Sequence, residues 1–90
     1  MKYVMIRRGS QVLPIIFPDF LVHDEVAHAI VAVVEKMEPP MAVGVVSAGD
    51  VQLGGGVVSC SGGSQTLGLQ SRNRLDANVI MVGHYRAYME

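Results

Sequence analysis

The chain has one cysteine, Cys60, and no tryptophan. A lone cysteine excludes an internal disulfide, and nothing in the sequence groups cysteines and histidines as a zinc site requires. A reducing cytoplasm is therefore the expected setting. Charge is also scarce, at 17% of residues, and nearly balanced: seven Lys and Arg against eight Asp and Glu. A dedicated nucleic-acid binder carries a basic excess on one face, and this chain has none. Long apolar runs are missing too. The longest, Val26 to Val34, contains His28 and is bounded by Asp24, Glu25, Glu35 and Lys36. A membrane-spanning helix needs about 20 nearly uncharged residues. The opening Met1 to Arg8 has no extended apolar region and does not read as a signal peptide. There is no Walker lysine, no G-x-G-x-x-G between strand and helix, no G-x-S-x-G and no H-E-x-x-H, so no cofactor is expected and an enzyme is the minority reading.

What the chain does have is aliphatic bulk. Half of its 90 residues are apolar, and mean hydropathy is positive. This length makes a single domain, 1–90, with one core. So small a domain cannot hide that much apolar surface within itself. The commonest cover is a second copy of the same chain, and a homo-oligomer is the expectation.

Residues 2–8 are β-rich and too short for a core helix, Gly9-Ser10 is a turn, and Val12 to Phe17 returns as a second strand. Pro14 has no N–H to donate, so that strand lies at an edge or is broken there. A helix is predicted from about Asp24 to Met37, with acidic residues in its first turn and Glu38-Pro39-Pro40 as its stop. Val26, Ile30, Val33, Val34 and Met37 share one side of it, and Ala27 and Val31 widen the apolar arc beyond an ordinary stripe. Residues 42–53 read as one strand interrupted near Gly49-Asp50, or as two short ones. Gly54-Gly55-Gly56 is a turn, Val57 to Ser61 a strand, and Thr66 to Leu69 a short final strand. Ser71 or Asn73 caps a last helix to about Tyr88, in which Leu75, Val79, Val82 and Arg86 align. The class is α+β, a mainly antiparallel sheet with two helices on one face, in the order β-β-α-β-β-(β)-α.

The most suggestive chemistry is the Ser/Gly stretch from Val57 to Leu69. Glycines free the backbone to turn N–H groups towards an anion, and Ser and Thr add hydroxyls. Ser61, Gly62, Gly63, Ser64 and Gln65 would hold phosphates, and Arg72 and Arg74 would neutralise them. The plainer alternative is a β-turn beside a strand too cramped for large side chains. His28 lies on the charged side of the first helix, His23 precedes it on the apolar side, and His84 sits in the last helix. No pair has metal-ligand spacing. Cys60, on a Val-rich strand, reads as a small apolar core residue, and as a nucleophile only if a histidine approaches it. Asp50 reads as a turn aspartate.

Several strings resemble small bacteriophage- and prophage-encoded accessory proteins. They are Phe17-Pro18-Asp19-Phe20 leading to His23 and Val26-Ala27, then Val46-Ser47-Ala48-Gly49, then Gly63-Ser64 followed by Leu67-Gly68-Leu69 and Ser71-Arg72. The group brings no assigned catalytic residues. The resemblance implies a protein that works by binding in a host cytoplasm: it sequesters a phosphate-bearing nucleotide signal, or it blocks a host defence protein.

Overall fold

A computed structural model describes the backbone of residues 1–89 and the side chains of residues 1–83. Strands β1 (Lys2–Arg8) and β2 (Gln11–Phe17) form the first hairpin. Helix α1 (His23–Val34) follows, then β3 (Val43–Gly54) and β4 (Val57–Ser61) as a second hairpin. A two-residue pair, β5 (Gly63–Ser64) and β6 (Leu69–Gln70), leads to α2 (Arg74–Met89). The main sheet is antiparallel throughout, ordered β2-β1-β3-β4, and β5-β6 forms a separate small sheet. The α+β class holds, with one more short strand than the sequence pattern suggests. No helix among the described residues is long and apolar enough to cross a membrane.

The helices do not share one face of the sheet. Tyr3, Met5, Val51 and Cys60 pack with Ala77 and Ile80 of α2. Val4, Ile6, Phe17 and Ala48 pack with Ala27 of α1 on the other side. The reason is visible in β1: Tyr3, Val4, Met5 and Ile6 are all fully buried. Successive strand side chains point to opposite faces, so an unbroken apolar run requires cover on both. The result is a helix–sheet–helix sandwich with β1 at its centre.

Each helix also buries a face rotated from the expected one. In α1 the buried residues are His23, Ala27 and Val34, while Val33 is 64% exposed and the helix ends before Met37. Ala27 and Val31, which widen the apolar arc, face the core with Val26 and Ile30, and Val33 is the part of the arc that turns outward. In α2 the buried positions are Asp76, Ala77 and Ile80, and Leu75 and Val82 turn to solvent. A buried aspartate runs against amphipathic patterning and requires hydrogen-bond partners inside the fold. Arg86 and His84 lie outside the described side chains.

Strand β3 is not broken at Gly49-Asp50. Its irregularity lies earlier, where Met5 pairs with Ser47 and Ile6 with Val45, so Val46 is an extra residue opposite β1. Such a bulge puts two successive side chains on one side of the sheet. Here it sends Ser47, like Val46, towards α2.

Candidate functional site

The β5-β6 pair folds around an open groove of about 610 Å³, lined by Gly62, Gly63, Ser64, Gln65, Gly68, Leu69 and Gln70. At Gly62 and Gly63 neighbouring atoms come too close for a side chain. A Cβ on Gly62, which holds φ +72°, would lie 2.7 Å from the Asp50 carboxylate; one on Gly63 would lie 2.8 Å from the Leu69 carbonyl oxygen. The connecting turn is closed by the Gly68 N–H donating to the Gln65 carbonyl at 3.2 Å, with Gly68 also at positive φ. Leu67 and Leu69 anchor the pair against the α1-side core, beside Val26 and Ile30.

Four of the seven residues read from the sequence as a binding site line this groove: Gly62, Gly63, Ser64 and Gln65. Ser64 is nevertheless buried and occupied. Its Oγ lies 3.1 Å from Thr66 Oγ1 and accepts the Leu67 N–H at 3.3 Å, so it braces the turn. Ser61 is exposed on β4 opposite Asp50, outside the lining. Among the described residues nothing accepts the Gln65 or Thr66 N–H, and the Gln65 side chain is exposed. The polar groups left to meet a ligand are thus the turn amides and the carboxamides of Gln65 and Gln70. Asp50 sets a negative charge beside Gly62, so an anion is better received at the turn than at that end.

Neither arginine lines the groove. Arg74 is the first residue of α2, exposed and in no ion pair among the described residues. Arg72 is held: its Nε donates to Asp76 Oδ1 at 2.8 Å, and its backbone N–H donates to Oδ2 at 2.8 Å. Tyr3 completes the cluster with its hydroxyl 2.5 Å from Asp76 Oδ2 and 2.6 Å from Ser71 Oγ. A carboxylate can only accept, so the single Tyr3 proton goes to Asp76 and the Ser71 hydroxyl donates to Tyr3. Ser71 Oγ in turn accepts the Asn73 N–H at the start of α2.

Burial by itself would raise the Asp76 pKa. Hydrogen bonds from Tyr3, the Arg72 N–H and the Arg72 side chain outweigh it and hold the carboxyl below its usual value. Tyr3 moves the opposite way: burial, then its bond to Asp76, pushes the phenol well above its ordinary value. Burial and then the Asp76 charge push the Cys60 thiol up as well, which disfavours the nucleophilic thiolate. Cys60 is therefore a core residue.

This buried cluster positions the groove. The Ser71 N–H donates to the Gly62 carbonyl at 2.9 Å, closing the strand pair at its base. Gly49 of β3 lies directly under the Ser61 carbonyl and the Ser71 side chain, too close for a Cβ. On the far side of β3, His23 Nε2 donates to the Gly49 carbonyl at 2.9 Å, and its ring meets Phe17 edge-on at 5.5 Å. That bond fixes the proton on Nε2 and ties the start of α1 to the same point of the sheet. His23, expected just ahead of the helix, is its first residue and a buried tether. His28 is exposed, as its charged helix side implies.

Sequence reasoning missed Asp76, the residue on which this arrangement turns. The one signal available was Ser71 and Arg72 just ahead of an aspartate in a first helical turn. Among the described residues no three His, Cys, Asp or Glu side chains gather as metal ligands would.

Comparison with known proteins finds no family model that matches the chain. Neither the curated proteins nor the solved structures contain a match.

Proposed function

We propose that this chain is a phage-type accessory binding protein that sequesters a small nucleotide-like molecule in the β5-β6 groove, as a homo-oligomer, and so counteracts a host defence signal. The observation that carries the binding part is the groove itself. It is open, braced from beneath by the Ser71–Tyr3–Asp76 cluster, and lined by turn amides and two glutamine side chains. A carboxamide both donates and accepts, which suits a sugar hydroxyl or a base edge, and Leu69 offers an apolar wall. Arg72 is held by Asp76, and Arg74, outside the groove lining and in no ion pair among the described residues, would meet a phosphate that extends beyond the groove.

Titration calorimetry with cyclic and ADP-ribose-type nucleotides tests this. Gln65→Ala with Gln70→Ala should weaken binding at least tenfold with the fold unchanged, each lost hydrogen bond being worth about 1 kcal/mol. Arg74→Ala should weaken only the phosphate-bearing ligands. Binding of none of these nucleotides, or unaltered affinity in the glutamine variants, would reject the groove as the site.

A second reading drops the small molecule: the chain is an interaction module that docks on a host defence protein. The exposure of Phe20, at 82%, next to Leu21 and Val22 favours it.

A further inference from the structure

We infer that β4 is a self-pairing edge, and that two copies of this chain join there through an antiparallel β4–β4 contact into one continuous sheet. The β3–β4 hairpin turns through Gly55 and Gly56, both at positive φ, with Gly54 opposite Val57. The pair flanking such a two-residue turn exchanges hydrogen bonds, and hydrogen-bonded pairs then alternate along the ladder. Val57, Ser59 and Ser61 consequently turn their N–H and C=O groups towards β3. Val58 and Cys60 turn theirs outward, where β4 has no strand neighbour and nothing among the described residues bonds to them.

Those four outward groups match themselves at one register. Setting Val58 against the second copy's Cys60, and Cys60 against its Val58, satisfies all four, with Ser59 meeting its own image on the two-fold axis. Shifting by two residues towards the C terminus would recruit Gly62, whose carbonyl is already taken by Ser71. Electrostatics permits the contact as well. A two-fold axis sets residues against their own images, where like charges repel, and there is no charged residue between Asp50 and Arg72.

Natural sheets guard exposed edges with charge, proline or bulges. The opposite edge obeys that rule. By the same alternation from the Gly9-Ser10 turn, residue 14 of β2 faces outward, and it is Pro14. β4 carries no such guard, while Val57, 64% exposed, and Leu53, 50% exposed, flank it with apolar surface. The same register sets the second copy's Val57 opposite Ser61, and so brings its hairpin turn to the Gly62 end of the groove.

The test uses the exposed Ser59. Oxidising Ser59→Cys should give a covalent dimer, because a non-hydrogen-bonded antiparallel pair brings Cα atoms to about 4.5 Å, within disulfide reach. Ser59→Lys and Ser59→Asp should each halve the mass measured by light scattering, with an unchanged circular dichroism spectrum. Mixing the two should restore the original mass. A native chain that scatters as 9.7 kDa, a Ser59→Cys protein that stays uncrosslinked, or charge variants that keep the native mass would each overturn the β4 contact. None of these readouts depends on a ligand, so failure here is separable from failure of the groove.

Discussion

At the scale of single residues, the fold is pinned by one buried carboxylate. Asp76 has no exposed surface and gathers Tyr3, Arg72 and Ser71 around the start of α2. Removing one member of a buried pair leaves its partners unsatisfied, at about 3 kcal/mol here. Asp76→Ala should therefore lower Tm by roughly 10–20 °C in a domain of this size, and Tyr3→Phe by less. Differential scanning calorimetry decides it. A loss under 1 °C for Asp76→Ala would show the cluster to be incidental. The pH dependence follows from the same pair. Asp76 titrates lower folded than unfolded, so its contribution is present above the ordinary carboxylate value and disappears as pH falls through the depressed one. Tyr3 titrates higher folded than unfolded. Its contribution is complete below about pH 10 and is lost as pH climbs beyond. Denaturant midpoints across pH should fall at both ends, and Tyr3→Phe should flatten the alkaline one. None of this was readable from composition, because hydropathy patterning sends every aspartate to the surface and only a tertiary partner brings one in.

Among the elements, short-range chemistry was legible and long-range placement was not. The two hairpins follow from turn glycines between β-rich runs, whereas Pro14 left β2 either an edge or a broken strand, and it is an unbroken edge. The glycine-rich turn towards a groove was also readable: Gly62, Gly63, Ser64 and Gln65 do line one. The arginines were not, since i,i+4 capture by Asp76 removes Arg72 only once the helix phase is known. The face each helix buries depends on which side of β1 it lands, and a central strand apolar at every position specifies cover on both sides without assigning the helices. Two changes test elements. Gly49→Ala forces a Cβ into the Ser61 carbonyl where β3, β4 and the groove meet, and should cost about 1–3 kcal/mol in urea unfolding. Pro14→Val removes no bond within the chain and should alter stability by less than about 1 kcal/mol. It opens the guarded edge, however, and should raise light scattering at high concentration. Scattering identical to the native chain would show that Pro14 guards nothing.

On the scale of the whole molecule, the apolar excess of the sequence has a structural counterpart. Val33, Val57, Leu75 and Val82 each remain more than half exposed, besides Phe20. A ninety-residue sandwich with a helix on each face of four strands has no further interior to offer them. In the proposed β4 dimer a second copy would cover part of that surface, Val57 first, and would bring the groove beside the contact. Native mass spectrometry reads both at once, on protein purified from a host with active nucleotide-signalling defences. The expected result is a discrete oligomer carrying an adduct of nucleotide mass, lost when Gln65 and Gln70 are replaced by alanine. An oligomer without adduct, and unresponsive to added cyclic or ADP-ribose-type nucleotides, would contradict it.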